Sequence, residues 1–369
     1  MERQSALESV GMKLFGDQYR GRRVLLTGHT GFKGSWLALW LAELGANVVG
    51  VALPPDTSPN HWDLLKLGIA DQRLDIRDSH ALVCAVNDAQ PEIVFHLAAQ
   101  PLVRRSYRDP LETWSTNVMG TANLLEACRN TENVRAIVVV TTDKCYENKE
   151  WEQGYNETDR LGGHDPYSAS KAAAELVAAS YRSAFFHEES SPLLATARAG
   201  NVIGGGDWSE DRLLPDLVRA LVSGDPLEIR SPQATRPWQH VLESLSGYLL
   251  LGQKLLEGRR EFAQAWNFGP EPDDNRTVAD VLARLKSHWP ELEWKVTDHP
   301  RPHEAGLLYL DSAKARVQLG WQPVWSLDQA LTVTADWYRA YMSARHVESR
   351  TQLAAFITQA QAENRAWAA

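Results

Sequence analysis

Short unbroken runs of apolar residues recur through the first 200 positions: "RVLLTG" from Arg23, "ANVVGVAL" from Ala46, "PEIVFHLAA" from Pro91, "VRAIVVVTT" from Val134 and "PLLATARAG" from Pro192. They are continuous, not alternating, which is the pattern of strands covered on both faces. The intervening stretches change period. "KGSWLALWLAELG" carries Trp36, Leu37, Trp40, Leu41 and Leu44 at helical spacing. "TWSTNVMGTANLLEACRN" and "YSASKAAAELVAASYRSAF" predict long helices rich in small and apolar residues. Strand and helix in alternation predict an α/β fold, a doubly wound parallel sheet of Rossmann type over residues 1–200. After Asn201 the rhythm breaks, and "GGGDWSEDRLLPD" and "SPQATRPWQH" predict loops over a site. "AWNFGP" predicts a late strand near 265–269 that returns to the sheet, so the region 201–342 interleaves with the first. The Gln- and Ala-rich stretch 343–369 predicts a helical tail.

Composition narrows the partners. The chain has 369 residues, 44% hydrophobic and 23% charged, which is ordinary for a globular protein with a sizeable core. A net charge of −9 argues against nucleic acid, which needs a basic face. No run approaches the ~20 apolar residues that span a bilayer. The three cysteines, Cys84, Cys128 and Cys145, form no CxxC, and no metal-ligand spacing is present. Reduced thiols and a cytoplasmic location are the expectation.

"GHTGFKG" places Gly28, Gly31 and Gly34 between the first predicted strand and its helix. Glycine there lets a pyrophosphate approach backbone N–H groups at the positive end of the helix. Thr30, Phe32 and Lys33 share this loop and join the candidate dinucleotide contacts. So do Leu97, Ala98, Ala99 and Gln100 at one strand end, Thr141 at another, and Asn117 on the helix between. No acid for a ribose hydroxyl ends the second strand, where Leu53, Pro54 and Pro55 stand, and Asp56 comes late. An arginine for a 2′-phosphate is absent from the same stretch, so NAD is favoured over NADP.

"YSASK" puts Tyr167 and Lys171 four apart on one helix face. A lysine ammonium beside a phenol favours the phenolate, so Lys171 is expected to bring Tyr167 toward a working base. Thr142, ending the preceding strand, can share a hydrogen bond with a substrate hydroxyl. The next two residues, Asp143 and Lys144, add an acid and an amine at the same strand end.

The glycine spacing and the Thr142, Tyr167, Lys171 set resemble the extended short-chain dehydrogenase/reductase superfamily, in the group that acts on nucleotide sugars. The resemblance extends to about Tyr341. It implies bound NAD, with Asp75 meeting the adenine amino group and Ile76 beside it. An acid after the strand-end threonine resembles the nucleotide-sugar 4,6-dehydratases, in which it protonates the leaving C6 hydroxyl. Their next residue is commonly a Glu that removes the C5 proton. Lys144 departs from that pattern. The Asp-Lys pair, together with "GNVIGGGDWSEDRL" and "RPWQHVLE", is similar to the branch acting on CDP-glucose. CDP-glucose is therefore the implied substrate, a 4-keto-6-deoxy sugar the implied product, and deoxysugars of surface polysaccharide such as lipopolysaccharide O-antigen the implied use. Lys144 is either the C5 base or, as an ammonium, a stabiliser of the enolate at O4.

A nucleoside diphosphate needs local cations, for which Arg236 is the first candidate, with Arg212 and Arg301 behind it. Asn201 is placed to bond sugar or phosphate, and His303 to close the site. Trp208 or Trp238 either stacks on the base or packs in the core, and His96 reads as a core histidine. Related enzymes pair the two long helices into a four-helix bundle, which implies a homodimer. Two other readings stand beside the dehydratase: a nucleotide-sugar 4-epimerase or reductase, which needs no Asp-Lys pair, and a catalytically silent NAD-binding regulator.

Overall fold

The computed structural model describes residues 13–297 and 307–369. The expectations for Arg301 and His303 lie outside the described residues. The apolar runs form the strands β1 (Arg23–Thr27), β2 (Asn47–Ala52), β3 (Ala70–Arg73), β4 (Ile93–His96), β5 (Ala136–Val140) and β6 (Leu193–Ala199). "AWNF" forms β7 (Ala265–Phe268), paired in parallel with β6 through Ala265↔Thr196 to Phe268↔Ala199. All seven are parallel, in the order β7-β6-β5-β4-β1-β2-β3. The chain order therefore reverses between β1 and β4, the switch point at which ligands bind in open α/β sheets.

Alternation along each strand explains the continuous runs. Val24 and Leu26 enter one core with Ala136 and Val138, whereas Leu25 enters the opposite core with Ile137 and Val139. The first core is closed by α1 (Phe32–Glu43). The second is closed by α2 (Ser79–Ala89), and after α3 (Pro110–Trp114) by α4 (Gly120–Arg129). The single long helix expected over 113–130 is three pieces, because a π turn over Ser115–Met119 joins α3 to α4. Helix α5 (Pro166–Ala184) starts where Pro166 fixes the first turn and the Asp165 carboxylate accepts from Ser168 N.

The later region holds α6 (Leu213–Ser223), α7 (Val241–Leu256), α8 (Val278–Leu285), α9 (Leu327–Ala344) and α10 (Ser349–Ala362). A second hydrophobic cluster forms there around Leu217, Val281, Leu331 and Trp337. Helix α7 belongs to the first core, through Leu245 and Leu249. So does the end of the chain: Phe356, Ile357 and Trp367 are buried beside Trp40 and Phe15. The predicted tail is helical and packed into the sheet domain.

Candidate active site

The carboxyl ends of β1, β4, β5 and β6 open into a cavity of about 540 Å³. The glycine loop forms its floor. Gly28 has φ +77°, and a Cβ there would stand 2.6 Å from Ala98 N. At Gly34 a Cβ would sit 2.0 Å from Gly28 O, so loop and helix close only without side chains. Gly31 caps α1 with no side-chain partner for the first N–H groups, and it lines the cavity. An uncapped helix N-terminus facing a cavity fits a pyrophosphate. Thr30 lines the cavity and donates to Leu53 O at 2.9 Å. Asp75 and Ile76 also line the cavity, and Arg77 holds the Asp75 carboxyl below its usual range. Ala98, Ala99 and Gln100 provide a low wall. Asn117 stands behind that wall: its side chain accepts from Gln100 N at 2.8 Å and donates to Ser170 Oγ at 2.9 Å, positioning the lining without joining it.

Thr142 and Tyr167 are nearly buried, at 6% and 8% exposed, and face the cavity with Lys171. The lysine Nζ donates to Val140 O at 3.2 Å. The expected help to the phenol is not what the isolated chain shows. Burial pushes Tyr167 up to about 12, against the opposing pull of a hydrogen bond with Thr142 and the charge of Arg212. Burial also brings Lys171 down to about 8, opposed by Glu175. Desolvation outweighs the local charge for both groups, because each is almost wholly buried.

Asp143 is wholly buried. Its Oδ1 accepts from Thr142 Oγ1 at 2.9 Å, and Lys144 Nζ stands 3.5 Å away. Its Oδ2 has no hydrogen-bond partner among the described residues. That oxygen faces Gly200, where a Cβ would lie 3.2 Å from it, and Asp143 itself is not among the residues that line the cavity, although Thr142 and Lys144 on either side are. Lys144 Nζ also reaches Asn201 Oδ1 at 3.4 Å, which ties both residues after β6 to the acid-amine pair.

Several contributors were not legible in the sequence. Glu175, one turn beyond Lys171, is 3% exposed and pairs with the equally buried Arg198 at 2.8 Å. The same carboxylate accepts from Thr141 and Thr196, and Arg198 donates to Tyr146 Oη. Lys33, one of the candidate dinucleotide contacts, lines the cavity and donates to Tyr248 Oη on α7 at 3.1 Å. Burial, then the charge of Arg212, lowers Lys33 to about 7, with Asp143 opposing. Arg212 and Arg236, the candidates for the diphosphate, line the cavity. They are joined by Arg104 and Arg230, which share Asp211 Oδ1 at 2.8 and 2.7 Å. The cluster is cationic although the chain is acidic. Trp208 packs edge-on against Trp337, Tyr338 and Tyr341, and Trp238 donates to Arg276 O, so both serve the core while edging the cavity. His96 is a core histidine, bonded to Thr27 and Thr121 and held neutral by burial, which lowers it to about 3.

Sheet, glycine loop and the Thr142, Tyr167, Lys171 group define a protein of the extended short-chain dehydrogenase/reductase class. The family model for GDP-mannose 4,6 dehydratase matches residues 25–334, and the chain belongs to that family. It is 47% identical over 331 residues to the CDP-glucose 4,6-dehydratase of Salmonella typhimurium, across 88% of this chain and 92% of that protein. A dTDP-glucose 4,6-dehydratase from Streptomyces venezuelae, solved with NAD bound, superposes with a TM-score of 0.73 at 23% identity, covering 87% of this chain and 97% of that one. A UDP-glucose 4-epimerase from Thermotoga maritima gives a TM-score of 0.74 at 24% identity, over 87% and 99% of the two chains. At those identities the two structures share the fold.

Proposed function

We propose that the protein is a lyase that converts CDP-D-glucose to CDP-4-dehydro-6-deoxy-D-glucose with NAD held in the glycine-floored cavity. The observation that carries this reading is the Asp143–Lys144 pair beside Tyr167 and Thr142, in a chain nearly half identical to a relative of that name. An epimerase has no use for a buried acid with one oxygen kept free.

The glycine loop, Asp75 and the Ala98–Ala99 wall would hold the dinucleotide. When bound, NAD supplies a hydride acceptor for C4 and a hydride donor for C6. Tyr167 takes the proton of the C4 hydroxyl, with Thr142 bonded to the same oxygen. The resulting ketone acidifies C5. Lys144 removes the C5 proton, and Asp143 gives its own to the C6 hydroxyl, which leaves as water. Lys144 then returns its proton to C5. Arg104, Arg212, Arg230 and Arg236 meet the diphosphate, and Asn201 the sugar or phosphate.

Incubating the pure protein with CDP-, dTDP-, UDP- and GDP-glucose tests this directly. A 4-keto-6-deoxy product is expected from CDP-glucose. Epimerised sugar, or none, would refute it.

Leu111, Trp114, Met119, Leu176 and Phe185 are exposed on α3, the π turn and α5 or directly after it, with Leu111 at 78% and Leu176 at 60%. Two copies pairing these helices would cover them, so a homodimer is proposed, and a monomer in sedimentation at micromolar concentration would exclude it. No helix of the described residues is long and apolar enough to cross a membrane. With Cys84, Cys128 and Cys145 all free, a cytoplasmic location is proposed.

A further inference from the structure

Two of the arginines that line the cavity are held by the same oxygen atom. Arg104 stands on the short helix Val103–Arg108, which follows the dinucleotide wall. Arg230 comes directly after the strand Leu227–Ile229 of the later region. Asp211 lies in the loop that leads into α6, and its Oδ1 accepts from Arg104 Nη1 at 2.8 Å and from Arg230 Nη2 at 2.7 Å. One carboxylate oxygen thus ties the sheet region to the later region, and all three residues line the cavity.

We infer that Asp211 is the positioning residue of a diphosphate clamp, holding Arg104 and Arg230 together so that both meet the diphosphate of one substrate. The inference rests on the dehydratase reading above, in which that substrate is a nucleoside diphosphate sugar. Each guanidinium gives one Nη to Asp211 and has no other hydrogen-bond partner among the described residues. The two side chains stay 37% and 30% exposed. A planar guanidinium held at one nitrogen keeps its other N–H groups for phosphate oxygens. Holding it beforehand also removes the side-chain ordering that binding would otherwise cost. Without the carboxylate the two cations would repel each other and swing apart. Asp211 itself has φ +58°, in the left-handed region that Asp and Asn enter more easily than other side chains.

Neighbouring charges do not take the place of Asp211. Glu210 pairs with Arg108 at 2.5 Å, but both side chains are more than half exposed, and such a pair contributes little. Arg212 faces Asp207 Oδ2 at 3.9 Å, and Arg236 donates to Thr235 O at 2.8 Å. Those two arginines keep these contacts when Asp211 is changed, so the expected loss is partial.

Asp211→Asn tests the clamp, since Asn tolerates the left-handed turn and removes the charge. On holoenzyme, the Kd of CDP by calorimetry and the KM of CDP-glucose are both expected to rise about 10-fold or more. The kcat is expected to change by less than about 2-fold, because only binding is touched. In a protein already carrying Arg104→Gln and Arg230→Gln, the same substitution is expected to weaken CDP no further, since Asp211 acts through those two residues. CDP held by Asp211→Asn as tightly as by the unsubstituted protein, or more tightly, overturns the clamp and leaves the carboxylate a competitor of the phosphates. The same loss with and without the two arginines also overturns it, as does loss of bound NAD together with CDP, which marks a structural role. Failure of the dehydratase reading is separate: the unsubstituted protein would then neither bind CDP nor act on CDP-glucose.

Discussion

Two buried carboxylates flank the end of β5, and they are treated in opposite ways. Glu175 lies behind the strand and is filled: Thr141, Thr196 and Arg198 all donate to it at 2.5–2.8 Å. Those bonds and the Arg198 charge hold its carboxyl below its usual range despite burial. Asp143, just beyond the strand, is left half-empty: Thr142 donates to one oxygen at 2.9 Å with the Lys144 amine at 3.5 Å, and the other has no partner among the described residues. A buried acid without full pairing is costly, which is why Asp143 is the group proposed to meet substrate. The filled carboxylate fixes the strand end that carries the unfilled one.

The largest expected effect belongs to the group in front. Tyr167→Phe is expected to abolish turnover at the first hydride transfer, with no bound NADH in a single-turnover absorbance trace. Asp143→Asn and Lys144→Met are expected to lower product formation by about 100-fold or more, the usual scale for a lost general acid or base. Both should still form bound NADH. They should differ at C5, where Asp143→Asn exchanges the proton with solvent and Lys144→Met does not. If Lys144→Met exchanges at the unsubstituted rate, the lysine is an enolate stabiliser and the base lies elsewhere.

Behind the strand the effect is on stability. Glu175→Gln removes the charge facing the buried Arg198 and is expected to cost about 3–5 kcal/mol in denaturant unfolding. A loss below about 1 kcal/mol would place this pair with surface ion pairs and remove the contrast with Asp143.

The smallest effect tests the cation under the cavity. Lys33 is lowered to about 7, so its charged form costs the folded state. That cost is fully present below pH 7 and shrinks as pH rises toward the unfolded value near 10.5. Lys33→Met is thus expected to raise the melting temperature of the cofactor-free protein more at pH 6 than at pH 9. An equal gain at both would contradict the lowered value.

What the sequence shows and hides follows the same division. Continuous runs such as "AIVVV" announce strands buried on both faces, and glycines between strand and helix announce the phosphate loop, because both are local patterns. The strand-end position of Thr142, Asp143 and Lys144 follows from the end of such a run. The Glu175–Arg198 pair is hidden, since it joins a helix to a strand 23 residues away and exists only through packing. The rise of Tyr167 to about 12 is hidden for a related reason: spacing places Lys171 nearby, but only the fold sets how much water both groups lose. The docking of Trp367 against Phe15 likewise pairs opposite ends of the chain.

In the proposed reaction the oxidation at the Tyr167 group and the elimination at Asp143 and Lys144 are halves of one closed cycle. CDP-glucose carrying deuterium at C4 tests it most directly. The label is expected at C6 of the 4-keto-6-deoxy product, with NAD neither consumed nor released. Stoichiometric release of deuterated NADH, with no label at C6, would contradict it.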